Sequence, residues 1–296
     1  MIRYGHGLVL GAFNPPHAGH HRLVRSAAQH CDRVTVLVHG SATDSAPLDD
    51  RVAWMRELHP EALVIGAEQV EVREPVDAVF TPEPDADDAV RTDPAAHWDR
   101  LEAPVRAALT RRVVVLGAEA TGATTLVHAL ADHYRRRGGP WARTRHVPAE
   151  GQPYDRLRSA DYPVVAQRQA EREDEAARDG SPVLFCDGDA FALTIRHERH
   201  LGAASPATGE IAARGRHHLW LLTDHRGVPS PAPGTEGLRA WMTARLLTRL
   251  ARTGRRTVVL TGPPEERLAT AVAAVDALLA EGWHFTEPHH PEQQHL

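Results

Sequence analysis

The chain contains no lysine, so all 34 of its basic residues are arginine, and Asn14 is its only asparagine. No side-chain ammonium is therefore available to hold a phosphate or form a Schiff base, and arginine, histidine, backbone amides or a metal ion must do such work. Cysteine is nearly absent as well: Cys31 and Cys186 are too few for a disulfide framework, and a reducing cytoplasm is the expected setting. Long apolar runs are missing. RVTVLVH (33–39) and RVVVLGA (112–118) have the length of strands rather than membrane spans, and no secretory signal pattern is read. Basic excess is also lacking; a net charge of −5 excludes a protein that coats nucleic acid. Neither a membrane nor a nucleic acid is expected as a partner. What remains is an ordinary globular composition, 296 residues with 42% hydrophobic and 25% charged, enough for two domains.

Short apolar runs alternate with helical stretches. GLVLGAF (7–13) reads as a buried strand, 17–29 as a helix, 33–39 as a strand and LDDRVAWMREL (48–58) as an amphipathic helix. Strands are expected at 62–72 and 76–81, a loop at PEPDADD (82–88) and one helix over 94–109. The pattern restarts after Arg111–Arg112 with strand, glycine-bearing turn and helix, and further strands follow at 181–189, 217–224 and 256–262. A long helix is expected over 265–279 and a loop at 227–237. This alternation implies an α/β protein of two tandem parallel-sheet domains, 1–110 and 111–286, with a flexible tail at 287–296. Trp54, Trp98, Trp220 and Trp241 fall in apolar patterns and are expected in the core, as is Cys186.

Residues 11–21 read GAFNPPHAGHH, after the first strand and before a helix. The loop at the carboxyl end of a strand in an open parallel sheet is where ligands bind. Gly11 permits close backbone approach, and Gly19 leaves His17 and His20 beside a helix amino terminus, where free N–H groups favour phosphate. Two imidazoles placed there can stabilise the charge of an in-line displacement at phosphorus. Two helix-start histidines with no ligand are the plain alternative. The spacing resembles the G-x-F-x-P-x-H-x-G-H signature of the HxGH nucleotidyltransferases, with every position filled. That resemblance implies transfer of a nucleotidyl group from ATP or CTP to a phosphorylated small molecule, with Mg²⁺ and release of pyrophosphate. It implies His17 and His20 as catalytic groups and Gly11, Phe13, Asn14 and Gly19 as nucleotide-binding loop residues.

Residues 117–124, GAEATGAT, again join a strand to a helix. They have the frame of a P-loop, G-x-x-x-x-G-K-[ST], with Ala123 where lysine is expected. Loop amides can still cradle phosphates, so Gly117, Gly122, Thr124 and Thr125 are candidate nucleotide-binding residues. Arg143, Arg145 and Arg239 are candidate substitutes for the missing cation. A tight strand–helix turn without a nucleotide is the alternative. Asp187 and Asp189 end the strand VLFCD and are candidate catalytic groups, with Thr124 and Asp187 as candidate Mg²⁺ ligands. Asp224 ends LWLLTD in the same way, and helix capping is the alternative for each aspartate.

An HxGH motif followed by a P-loop in one chain resembles the NadR-type family, over the stretches GAFNPPHAGHH, VRTDPAAHWDRL, GAEATGATT and VLFCDGDAFALTIRHERHLG. The resemblance implies a nicotinamide-mononucleotide adenylyltransferase followed by a ribosylnicotinamide kinase, with ATP as co-substrate, a nucleotide or nucleoside substrate, and room for a homo-oligomer. The chain departs from that pattern. The first domain is short, only PEPDADDAV separates VDAVFT from Arg91, and the nucleotide-binding Arg91 lacks the serine and threonine donors that accompany it in the family. VPAEGQ replaces the family's V-P-E-Y-G-R-like segment, and EGLR (236–239) stands for D-G-L-R. A descendant with a changed acceptor, or a non-catalytic nucleotide sensor, therefore stays open beside the working enzyme. A DNA-binding helix-turn-helix finds no room before residue 7.

Overall fold

The computed structural model describes residues 3–41, 44–68, 74–82, 89–149, 156–229, 232–283 and 285. Two compact units result. The first comprises Met1–Ala108 with the described residues from Gly282 on, and the second Leu109–Glu281.

In the first unit, β1 (Tyr4–Gly11), β2 (Cys31–His39), β3 (Leu63–Ala67) and β4 (Ala78–Phe80) form one sheet in the order β3-β2-β1-β4, with every pairing parallel. β1 is central because its apolar run Gly7–Leu10 is buried on both faces, as parallel sheets require. Helices α1 (Ala18–His30) and α2 (Leu48–Leu58) make the crossovers, and Val24, Ala27, Val52 and Met55 pack on Val9, Val36 and Val64. The chain steps from β1 to one side and reaches β4 on the other. The carboxyl end of β1 is thus a topological switch point.

The single helix read over 94–109 is instead a 3₁₀ turn at Trp98–Arg100 followed by α3 (Ala103–Leu109). Pro104 explains the break. It has no N–H to donate and its ring would strike the carbonyl four residues back, so a helix can begin at its position but not run through it. Leu101, between the two pieces, bridges to His17 in antiparallel fashion. The strand read over 62–72 is Leu63–Ala67, and 69–73 lie outside the described residues, as do the loop segment 83–88 and the tail 287–296. Trp54, Trp98, Trp220 and Cys186 are buried as expected, whereas Trp241 is 39% exposed, on the outer face of its helix.

The second unit holds β5 (Arg111–Gly117), β6 (Arg145–Val147), β7 (Val183–Asp187), β8 (His217–Thr223) and β9 (Thr257–Leu260), ordered β6-β7-β5-β8-β9 and parallel throughout. Its helices are α4 (Ala123–Arg136), α5 (Asp161–Arg178), α6 (Ala190–Leu201), α7 (Pro206–Arg214), α8 (Glu236–Arg252) and α9 (Pro264–Ala280). Val113, Val115, Phe185, Leu219 and Leu221 meet Val127, Leu130 and Val275 in the core beneath α4 and α9. β5 is again central and flanked by β7 and β8, so the three strands end at one edge of the sheet, Gly117 opposite Thr223 and Asp187 opposite Val115. Among the described residues no helix is long and apolar enough to cross a membrane.

One histidine ties this sheet to pH. The Arg112 amide donates to His218 Nδ1 at 3.1 Å. Burial, then the charge of Arg111, pushes His218 down to about 4 from 6.5. Between those values the unfolded chain takes up a proton that the folded chain refuses, so stability falls as pH drops, by about 3 kcal/mol. His218→Gln keeps an acceptor and removes the titration. Urea denaturation at pH 7 and pH 4 is therefore expected to show a smaller loss in the variant than in the wild type. His217, whose proton Glu173 holds against burial, is common to both proteins.

Candidate functional site

The first site forms where β1 runs out. Gly11 ends the strand, the Asn14–Pro15 peptide is cis, and His17 is the N-cap of α1. His17 Nδ1 accepts from the Gly19 amide at 3.0 Å, and the His17 amide donates to His20 Nδ1 at 3.3 Å. This is a capping box assembled from two imidazoles rather than a hydroxyl and a carboxylate. With Nδ1 accepting, the proton of each neutral ring sits on Nε2. Both rings stand beside the amides of a helix amino terminus, a position that as a class favours anions.

The surroundings fix both rings. Their centroids lie 4.0 Å apart, and Phe13 meets His20 edge-on at 4.9 Å. Phe13 adopts a φ of +49°, costly for a bulky residue, and is held there by nearly complete burial. A Cβ on Gly19 would lie 2.7 Å from His17 Cε1, so any side chain there would displace the imidazole from its cap. Asn14 Oδ1 accepts from the Ala46 amide at 3.3 Å, tying this loop to the one after β2. Arg91 lies half-buried on a helical turn at 89–92.

Arg51 is a residue that sequence reasoning missed. It is fully buried and donates to the carbonyls of Ala12, His39 (3.0 Å) and Ala46 (2.9 Å) and to the Asp44 carboxylate (2.7 Å). One guanidinium thus closes the carbonyls at the ends of β1 and β2 around the site. Its only sequence signal is an arginine between Asp50 and Val52 on an amphipathic helix, which reads as solvated.

The second site forms at the ends of β5, β7 and β8. A Cβ on Gly117 would fall 2.2 Å from both Thr121 Oγ1 and Thr223 Oγ1, so only glycine fits where the loop folds back. Thr121 donates to the Ala118 carbonyl at 2.8 Å and shares a 2.7 Å hydroxyl contact with Thr223. Gly122, the N-cap of α4, takes a φ of +87°, the left-handed conformation that the turn requires. Thr124 Oγ1 donates to Asp187 Oδ2 at 2.7 Å, bringing together the two groups read as metal ligands. Thr125 lies beside them on the rim. A cavity of about 310 Å³ opens over the loop, in the size range of small-ligand sites.

Asp189 differs from Asp187. It N-caps α6 through the Ala192 amide at 2.8 Å and accepts from the Trp220 indole at 2.9 Å, so its two oxygens are engaged in holding the wall of the cavity. The capping alternative thus describes its contacts. Asp224 accepts from the Arg226 amide and guanidinium and does not line the cavity. Nor do the three arginines read as substitutes for lysine. Arg143 and Arg145 pair with Asp179, and Arg239 is buried, donating to the Val228 carbonyl. The cavity instead has Arg196 of α6 on its wall, with Glu119 of the loop beside it.

Two family models match the chain. A cytidylyltransferase-like model covers 8–121, and an AAA-domain model covers 112–267, more than half of the chain. Among curated proteins, the trifunctional NAD biosynthesis/regulator protein NadR of Escherichia coli (strain K12) is 25% identical over 150 residues, half of this chain and 36% of that protein. The protein of the same name from Salmonella typhimurium (strain LT2) matches to the same extent. The matched region thus spans little more than a third of these relatives' length. Among solved structures, a NadR protein in complex with NR has a TM-score of 0.73 at 19% identity, over 93% of this chain and 96% of that one. A NadR protein with NAD and AMP-PNP has a TM-score of 0.72 at 18% identity, over 97% and 98%. The chain belongs to the AAA-domain family, and in it that P-loop domain follows a cytidylyltransferase-like one, in the fold of the NadR structures.

Proposed function

We propose that the first unit transfers the nucleotidyl group of ATP to nicotinamide mononucleotide, releasing pyrophosphate, and that the second phosphorylates ribosylnicotinamide. The observation that carries this reading is the pair of Nδ1-anchored histidines at the amino terminus of α1. An acceptor phosphate oxygen attacks the α-phosphorus as the bond to pyrophosphate breaks. His17 and His20 donate from Nε2 to the oxygens that gain charge, and the helix amides hold the phosphates. An ionised phosphate is already a nucleophile, so this step asks for no general base. In the second unit the loop amides from Gly117 to Thr125 cradle the ATP phosphates. The hydroxyl of Thr124 and the carboxylate of Asp187 are adjacent hard oxygen donors and suit Mg²⁺. Bound there, the ion would supply charge neutralisation on the phosphates. Cys31 and Cys186, both free and buried, support a cytoplasmic setting.

A changed acceptor in the first unit is the second reading. It is favoured by the span 81–88, only eight residues between β4 and the helical turn at 89–92. Pyrophosphate and ADP release, measured with ATP and CTP against nicotinamide mononucleotide, nicotinamide riboside and other phosphorylated acceptors, separates the two. Pyrophosphate with nicotinamide mononucleotide supports the first reading. Pyrophosphate only with another acceptor supports the second, and release with none of them rejects both.

A further inference from the structure

A phosphate site without lysine has a charge to replace. Loop amides and hydroxyls are dipoles, whereas a bound triphosphate carries several full negative charges, and Ala123 contributes none of the cation that this loop frame ordinarily holds. Since the whole chain lacks lysine, arginine is its one permanently charged side chain.

The geometry of α6 narrows the choice. Ala192, Leu193 and Arg196 line the cavity from one face of this helix. Arg196 Nη1 lies 4.0 Å from Glu119 Oε1, and Arg199, one turn further along, donates a hydrogen bond to the same oxygen. Both guanidinium groups are largely covered, at 24% and 15% side-chain exposure. Glu119 is the third residue of the loop itself. Burial by itself would raise its carboxyl, but the hydrogen bond and charge of Arg199, with the charge of Arg196, hold it below the ordinary range. An anion thus already stands at the mouth of an anion site, neutralised by two cations. A guanidinium is permanently charged and presents a planar fork that fits phosphate oxygens as well as it fits a carboxylate.

We infer that Arg196, backed by Arg199, is the phosphate-binding cation of the second site in place of the missing lysine, and that Glu119 occupies the pair until a nucleotide phosphate displaces it. The inference rests on the reading of this cavity as an ATP site and adds which side chains recognise the triphosphate. It also accounts for an acidic side chain in the loop, where an anion would otherwise repel the ligand.

The test must see this site alone, because the first unit is also read as binding ATP. Hydrogen-exchange mass spectrometry on the full chain does so, by following the amides of 117–125 and of 11–21 as Mg–ATP is added. Arg196→Ala is expected to raise the half-saturating concentration for protection of 117–125 about 30-fold, the effect of losing one charge-assisted phosphate contact. Protection of 11–21 should be unmoved, which also shows that the variant is folded. Ala123→Lys placed in the Arg196→Ala protein should restore most of the loss while adding little to the wild type, since the two cations serve one charge. Glu119→Gln should tighten binding several-fold by removing the competing anion. Wild-type titration in Arg196→Ala would overturn the inference and leave the ATP reading standing. Absence of protection of 117–125 in the wild type, with 11–21 protected, would remove the ATP reading and the inference with it.

Discussion

Replacing His17 with asparagine is expected to lower the pyrophosphate-forming rate about 100- to 1,000-fold while leaving α1 in place, the effect of removing one donor from an oxyanion site. The choice of asparagine matters because His17 performs two tasks. Its Nδ1 caps the helix by accepting from the Gly19 amide, and its Nε2–H faces the chemistry in the reading above. Alanine would remove both and cost about 1 kcal/mol of helix stability besides. Asparagine is among the best N-caps and can accept from the same turn, but it has no Nε2–H. Thermal unfolding and pyrophosphate release, measured on His17→Asn and His17→Ala together, separate the tasks. Similar stability and lost activity in the asparagine variant is the expected result. Activity near wild type in both would remove His17 from the site.

The second large effect is on stability. Arg51→Met is expected to destabilise the first unit by about 3–5 kcal/mol, the cost of leaving a buried ion pair with one partner. Asp44, 4% exposed, would keep its charge with no counter-ion, and the carbonyls of Ala12, His39 and Ala46 would lose a shared donor. Methionine fills much of the volume, so the loss reports charge and hydrogen bonding rather than a cavity. Adding Asp44→Asn should recover part of it by removing the stranded anion. Urea denaturation of the two single variants and the double variant gives the coupling directly. A loss below about 1 kcal/mol in Arg51→Met, the range of surface ion pairs, would show that this pair is solvated in the folded protein.

The two-domain α/β plan was legible because each central strand is buried on both faces and so reads as an unbroken apolar run; VVVL of β5 is the plainest case. The motif loops were legible for a related reason: glycine stands where a side chain cannot, as at Gly19 and Gly117. Long-range polar contacts left no such mark. Arg51 is one arginine among 34, and nothing near it in sequence distinguishes burial under three carbonyls from exposure. Arg196 pairs with a residue 77 positions earlier, which no local pattern announces. β6 spans only Arg145–Val147 at the sheet edge, too short for periodicity to register. The break before Pro104 was legible in principle, since proline marks a helix start as readily as an interruption, but the apolar spacing on both sides favoured one helix.

The hydrogen bond from the Trp220 indole to Asp189 has a practical consequence. Asp189 also anchors the first turn of α6, the helix that carries Arg196, and Trp220 lies buried with the Arg255 guanidinium 4.6 Å over its ring. The excited state of an indole responds to the charges around it, and here one of them, Asp189, belongs to the wall of the cavity. The second unit therefore carries its own optical gauge: a displacement of Asp189 with the first turn of α6 would change the field on Trp220, and a Trp220→Phe difference spectrum would separate its emission from that of Trp141 and Trp241.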